Sequence, residues 1–394
     1  MIGGGGGSDV TLGHSPGASG GNDLPRNATE VNDGDLRMIT ERAGGELGSL
    51  EGKRLLITGG AGFLGYYFVQ AALHWNGGGT GRAPIRVTVY DNYVRGVPGW
   101  LSELEGREDV TMVKHDVREP LPDDIDDFEY VVHAAGIASP TYYRLHPIET
   151  MDANIHGLRS LLEYARRQGD RARPVEGFLF FSSSEIYGDP SPEAIPTPET
   201  YRGNVSCTGP RACYDESKRY GETLCVNFAR EYGVPVTIAR PFNNFGPGLK
   251  ITDRRVIPDL MRDVLDGRDI ELLSDGSATR TFCYATDAIT GYYKVLVRGR
   301  AGEPYNIGTE APEISMQELA ELVATIGRDV VGYRGNVIHG VSAEADYLTD
   351  NPSRRCPDIG KAREELAYEP AVDLRDGLVR SLIWYAENRV AATA

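Results

Sequence analysis

The chain has 394 residues, 40% of them apolar and 25% charged, with a formal net charge of −16. Such length and apolar content exclude a disulfide-stapled mini-protein and a wholly disordered chain, and supply material for two domains or one elaborated α/β domain. With 57 acidic against 41 basic residues, the balance argues against a nucleic-acid partner, because phosphate backbones are met by clustered Lys and Arg.

Residues 1–34 are rich in Gly, Ser, Asn and Asp and bury too little to offset their ordering entropy, so they are expected to be a disordered tail. Residues 35–52 carry Leu36, Ile39 and Leu47 and read as one amphipathic helix weakened by its glycines. From Lys53 the rhythm changes. Short apolar runs at 54–58, 87–91, 110–116, 130–135, 178–184 and 236–241 read as strands, and 147–167 and 214–232 read as helices between them. Strands alternating with helices imply βαβ crossovers and a parallel sheet covered on both faces. The expected fold class is therefore α/β: a Rossmann-type doubly wound parallel sheet with a smaller C-terminal α/β substrate-binding domain. After Pro241 the alternation breaks and Gly/Pro punctuation increases. The dinucleotide unit is accordingly expected over 53–240 plus about 282–300, and the substrate unit over 241–281 plus about 301–394.

The five cysteines (Cys207, Cys213, Cys225, Cys283, Cys356) are scattered and include no C-x-x-C pair, which fits reduced thiols better than disulfides or zinc. His115 and His133 read as structural histidines, so no metal is expected. The opening M-I-G-G-G-G-G has no basic n-region or apolar h-region, and no stretch approaches the ~18 apolar residues of a membrane span. A cytoplasmic protein with no membrane partner is expected.

Two motifs carry chemistry. T-G-G-A-G-F-L-G (Thr58 to Gly65) follows a strand and opens a helix, with Gly59, Gly62 and Gly65 spaced G-x-x-G-x-x-G. Glycine is needed there for the tight turn, for close approach to a pyrophosphate and for helix-on-strand packing, and the phosphates then meet the positive end of the helix. Asp91 ends the next strand, where a carboxylate accepts the ribose hydroxyls and repels a 2′-phosphate, which favours NAD over NADP. Arg95 is the nearby cation that a 2′-phosphate would use. The second motif is Tyr214-Asp215-Glu216-Ser217-Lys218. A Tyr and a Lys four apart share a helix face, and a nearby ammonium is expected to lower the phenol toward neutrality and make it a general base. Ser182-Ser183-Ser184 ends an upstream strand, where a hydroxyl can meet the substrate oxygen.

With H-A-A-G (133–136), S-S-S-E-I-Y-G-D-P (182–190), R-P-F-N-N-F-G-P (240–247), T-R-T-F (279–282) and Y-N-I-G (305–308), these motifs make the chain resemble the extended short-chain dehydrogenase/reductases from about Gly52 to Asn388. Within that superfamily, G-P-R-A-C-Y-D-E-S-K-R (209–219) resembles the UDP-glucuronate decarboxylases most. The resemblance implies NAD as cofactor, a UDP-sugar substrate, a homodimer formed through the helices at 147–167 and 214–232, and decarboxylation of UDP-glucuronate through a 4-keto intermediate to UDP-xylose. It implies a cofactor site that includes Phe63, Leu64, Asn92, Asp116, Val117, Ala134 and Ala135 besides the glycines, Asp91, Tyr214 and Lys218. It implies Ser183 as the triad hydroxyl, Tyr214 as base, Lys218 as its tuner, Ser184 and Glu185 as the Ser-Glu pair of the decarboxylases, and Arg280 as a helper of decarboxylation and reprotonation. Tyr143 and Asn243 match sugar-nucleotide contacts. The rivals are a dTDP-glucose-type 4,6-dehydratase and a UDP-sugar 4-epimerase. Dehydratases carry an acid where this chain has Ser184, and simple epimerases lack a Glu at the position of Glu185, so both are disfavoured. An idle scaffold on the same fold is disfavoured because Tyr214 and Lys218 are both present.

Overall fold

The computed structural model describes residues 24–79, 81–341 and 349–389. β1 (Arg54–Thr58) is buried at every residue after Arg54. With no solvent face, it takes a place inside the sheet. Around it lie β2 (Arg86–Asp91), β3 (Val110–Lys114), β4 (Tyr130–His133), β5 (Gly177–Phe181), β6 (Val236–Pro241) and an edge strand, Pro304–Ile307. The order is edge strand, β6, β5, β4, β1, β2, β3, with every pairing parallel. Strand placement reverses between β1 and β4. In doubly wound sheets that switch point opens a crevice at the carboxyl ends of the strands, where ligands bind.

The period of two along a strand decides which helix meets which side chain. Leu55 and Ile57 face the helices Phe63–Gly77 and Ala285–Arg298, sharing a core with Tyr67, Phe68, Tyr292 and Tyr293. Leu56, between them, faces the opposite layer, where Leu161 and Leu162 of Leu158–Asp170 and Leu224 and Phe228 of Ala212–Tyr232 pack on Phe178 and Phe180. The helix expected over 147–167 is composite: Pro147–Asp152, a π turn at Ala153–Gly157, then Leu158–Asp170. A further core gathers Leu260 and Met261 of Val256–Asp266, Leu319 and Val323 of Met316–Val331, and Leu378 and Leu382 of Leu374–Glu387.

The N-terminal helix runs Ala28–Arg42, so residues 28–34 are helical and not part of a tail. Asn27 caps it by accepting from the Glu30 amide at 2.8 Å. Two cores hold it: Ala28 and Val31 enter the one with Leu260, Leu319 and Leu378, and Leu36 and Ile39 the one with Leu55 and Ile57. Tertiary burial here outweighs the low helix propensity of its Gly and Asp residues. The remainder of the expected tail, residues 1–23, lies outside the described residues.

Candidate active site

The glycine turn sits at the switch point. Gly59 leaves β1 with φ +73°, and a Cβ there would lie 2.6 Å from the Ala135 Cα; one at Gly65 would lie 2.5 Å from the Gly60 Cα. These contacts are with backbone, so only glycine keeps the turn this close to the exit of β4. The helix Phe63–Gly77 opens at Gly62 with no side-chain cap and no acidic residue in its first turn, which leaves its positive end open to an anion. Phe63 and Leu64 pack against the core below. Asp91 closes the rim, accepting the Ala61 amide at 3.1 Å and the Tyr93 amide at 2.8 Å, while burial raises its pKa. Asn92 donates to Asp116 at 3.0 Å, and Asp116 is paired with Arg118 at 2.7 Å. Ala134 donates to the Thr58 carbonyl at 3.0 Å, and Val117 packs against Gly157. Arg95 is paired with Asp253 at 2.8 Å, so its charge is compensated away from Asp91. A cradle that a Cβ would fill, an uncapped helix and a rim carboxylate suit a dinucleotide without a 2′-phosphate.

Across the crevice, Ala212–Tyr232 presents Tyr214 and Lys218 on one face. The Ser183 hydroxyl is near enough to the Tyr214 phenol to lower its pKa, and the Tyr214 ring stacks on Tyr143 with centroids 5.0 Å apart and planes 10° from parallel. Lys218 Nζ donates to the Phe181 carbonyl at 2.9 Å and lies 5.7 Å from the Tyr214 ring centroid. Ser182 turns away to Glu222 at 2.5 Å, which leaves Ser183 as the serine on the triad side. The electrostatics differ from the expectation. Burial pushes Tyr214 up to about 12 and Lys218 down to about 7. At Tyr214 burial outweighs the lowering effects of Ser183 and Arg255, which leaves the phenol above its usual range instead of near neutrality.

The third cluster surrounds Glu185, in the turn Ser184–Tyr187 that follows Ser183. Arg355 donates two hydrogen bonds to its carboxylate, at 2.6 and 2.7 Å, and Arg211 donates a third. Burial would raise Glu185, but Arg211 and Arg355 prevail and hold it well below the usual carboxylate range. Ser184 is buried beside it. Arg280 donates to the Thr279 carbonyl at 2.7 Å and to the Pro352 carbonyl, and burial followed by the nearby Arg355 lowers it to about 9. Asn243 takes a left-handed φ of 43°, and its amide donates to the Thr281 carbonyl at 2.8 Å. In this state Asn243 fastens a backbone corner. His133 is neutral: burial lowers it to about 3, and its Nδ1 lies 2.8 Å from the Thr58 hydroxyl.

Four residues here were not singled out from sequence. Arg211 stood inside the quoted 209–219 stretch, and Asp215 inside the Tyr-Lys motif. Burial and then Glu185 raise Asp215 to about 8. Arg355 carries no local signal; the short strand Arg354–Arg355 pairs in register with Thr279–Arg280 and sets Arg355 opposite Arg280. Asn154 is turned inward by the π segment and donates to the Ser217 hydroxyl at 2.9 Å.

The comparisons with known proteins bear on the family and the fold. UDP-glucuronic acid decarboxylase 3 of Arabidopsis thaliana is 37% identical over 325 residues, 82% of this chain and 86% of the relative. UDP-glucuronic acid decarboxylase 1 of Xenopus tropicalis is 36% identical over 336 residues, 85% of this chain and 73% of the relative. Among solved structures, Epimerase Mth375 of Methanothermobacter thermautotrophicus superposes with a TM-score of 0.73 at 27% identity, over 91% of this chain and 98% of that one. A dTDP-glucose 4,6-dehydratase from Streptomyces venezuelae, solved with NAD, gives 0.72 at 28% identity over 86% and 98%. The profile of the NAD dependent epimerase/dehydratase family matches residues 55–308, from the first strand through the glycine turn and the Ser-Tyr-Lys triad to the edge strand, and the chain belongs to that family.

Proposed function

We propose that the chain is an NAD-dependent UDP-glucuronate decarboxylase that forms UDP-xylose through a UDP-4-keto intermediate. The observation that carries this reading is the buried group of Arg211, Arg280 and Arg355 gathered around the single carboxylate of Glu185, with Arg211 beside the Tyr143–Tyr214 stack, an excess of cations suited to a sugar acid and not to a neutral hexose. The curated decarboxylase relatives support it. A dehydratase reading lacks its acid, because residue 184 is a serine.

The glycine turn and Asp91 would hold NAD, which when bound supplies a hydride acceptor for carbon 4 and returns the hydride at the end. Tyr214 removes the proton of the 4-hydroxyl, and Ser183 fixes the oxygen it acts on. Lys218, close to the phenol ring, favours phenolate whenever it is itself charged. The resulting 4-ketone stands β to the carboxylate at carbon 5, so it takes up the electron pair that CO₂ leaves behind. Glu185 and Arg280 are the groups that assist loss of CO₂ and protonation of carbon 5 in this reading. Tyr143 and Asn243 line the sugar nucleotide.

The test is product analysis of the purified enzyme with UDP-glucuronate, dTDP-glucose and UDP-galactose, with and without added NAD⁺. CO₂ and UDP-xylose from the first alone are expected. Loss of water from dTDP-glucose with UDP-glucuronate untouched would overturn the reaction and leave the fold intact.

We also propose a homodimer. Leu145, Ile148 and Met151 are exposed apolar residues (66% and 64% for the first two) on the segments Pro140–Leu145 and Pro147–Asp152, which pack with Ala212–Tyr232, and Tyr220 is exposed on that helix itself. A second copy joining these helices in a four-helix interface would cover them. No helix among the described residues is long and apolar enough to cross a membrane. All five cysteines are free, which supports a cytoplasmic location.

A further inference from the structure

We propose that Arg211 and Arg355 form the seat for the carboxylate of the substrate, and that Glu185 occupies this seat as an internal stand-in until the sugar acid displaces it. The inference rests on the decarboxylase reading above and deepens it.

The geometry of the cluster is that of a recognition site already holding a ligand. Arg355 grips Glu185 fork to fork, through both terminal nitrogens, and Arg211 grips the same carboxylate from a second element. Planar guanidinium groups select planar two-oxygen anions in this way. Both cations are buried and mounted on regular elements: Arg211 is the residue at the start of the helix Ala212–Tyr232, and Arg355 lies on the strand paired with Thr279–Arg280. A finished structural ion pair would use the donors around it. Here the Nε of Arg211, the Nε of Arg355 and the hydroxyl of Tyr143 are all buried without a hydrogen-bond partner among the described residues. Three unused donors around one carboxylate fit a larger anion with more acceptors, such as a hexuronate with its ring hydroxyls.

Position supports the same reading. The Arg211 guanidinium lies 5.9 Å from the Tyr143 ring centroid, and that ring stacks on Tyr214. Tyr214 acts at carbon 4, and the substrate carboxylate is borne by carbon 5, so a seat adjoining Tyr214 is where that carboxylate must go. Arg280 is engaged by two backbone carbonyls and does not compete for Glu185. Exchange of one carboxylate for another leaves the charge of the buried cluster unchanged, so no uncompensated ion is created. A neutral hexose offers nothing to displace Glu185. Once displaced, Glu185 loses its counter-charges and takes a proton from water. When the carbon 5–carboxyl bond breaks, its electron pair passes into the 4-enolate and CO₂ leaves the seat. Glu185 then gives its proton to carbon 5 and returns to the arginines as carboxylate.

The test is calorimetric titration of the full-length protein with UDP-glucuronate, with UDP-xylose, which lacks the carboxylate, and with UDP. In Glu185→Gln the stand-in has lost its charge, so UDP-glucuronate should bind at least fivefold tighter while UDP-xylose binds as before. In Arg355→Gln the preference for UDP-glucuronate over UDP-xylose should fall at least tenfold, with UDP affinity reporting an intact fold. Arg355→Lys should recover only part of the preference. Equal or weaker UDP-glucuronate binding by Glu185→Gln, or an unchanged preference in Arg355→Gln, overturns the seat. If the parent enzyme still releases CO₂ in that case, the functional reading survives without it. A parent enzyme that neither prefers UDP-glucuronate nor releases CO₂ overturns both.

Discussion

At Tyr214, burial opposes Ser183 and Arg255, and burial wins: the phenol is pushed up to about 12, while burial brings Lys218 down to about 7. Replacement of Tyr214 by Phe keeps the stack on Tyr143 and removes only the proton acceptor. CO₂ release should then fall at least ~100-fold with UDP binding unchanged, as general bases typically contribute. Lys218 gives a signed pH test. Between about 7 in the fold and 10.5 when free, the unfolded chain binds the extra proton, so stability rises with pH across that window and the burial cost is complete below it. Lys218→Met should therefore raise the melting temperature by about 3 °C near pH 6 and by progressively less towards pH 10, while activity is lost. A gain that grows with pH would refute the depressed lysine. The pair Tyr214 and Lys218 was legible in the sequence because its geometry is local, two side chains one helical turn apart. Arg355 was not, because strand pairing brings it to Arg280 and Glu185 from a distant part of the chain.

Elements differ in the same way. β1 and the glycine turn could be read almost to the residue, since a buried run followed by glycines at fixed spacing has few alternative structures. The N-terminal helix was misread at its start because its stability comes from partners far along the chain. Asp35, in the middle of that helix, bonds Tyr284 at 2.6 Å and Arg380 at 3.3 Å. Burial nevertheless raises its carboxyl to about 7 from 3.8. Across that window the fold holds a proton that the unfolded chain has released, so stability falls as pH rises through it, and the full cost is present above. Asp35→Asn should thus raise the melting temperature most near pH 8 and hardly at all near pH 4. Equal gains at both ends would show that Asp35 is ionised throughout and held by Arg380 alone. The two-residue strands Asn244–Phe245, Thr279–Arg280 and Cys283–Tyr284 escaped sequence reading, being too short to show any period.

On the scale of the whole molecule, Tyr214, Lys218 and Ser183 come from the parallel sheet and its covering helices, whereas Arg280 and Arg355 come from the strands added after Pro241. The site is therefore complete only when these segments are docked, and Glu185, bonded to Arg211 on one side and Arg355 on the other, ties them together. The helix that presents Tyr214 is also the one flanked by exposed apolar residues. If a second copy covers them, the dimer interface and the catalytic tyrosine share one rigid element, and disturbance of the first should reach the second. Ile148→Glu combined with Met151→Lys places two charges where the partner's apolar surface would sit, without touching any residue of the site. The parent protein should sediment as a dimer at about 10 µM and the double variant as a monomer, since desolvating unpaired charges at an interface costs several kcal/mol. The monomer should keep UDP affinity but show a lower CO₂ release rate, because Ala212–Tyr232 loses half of its support. A parent protein that sediments as a monomer, or a double variant that remains dimeric, would place the interface elsewhere.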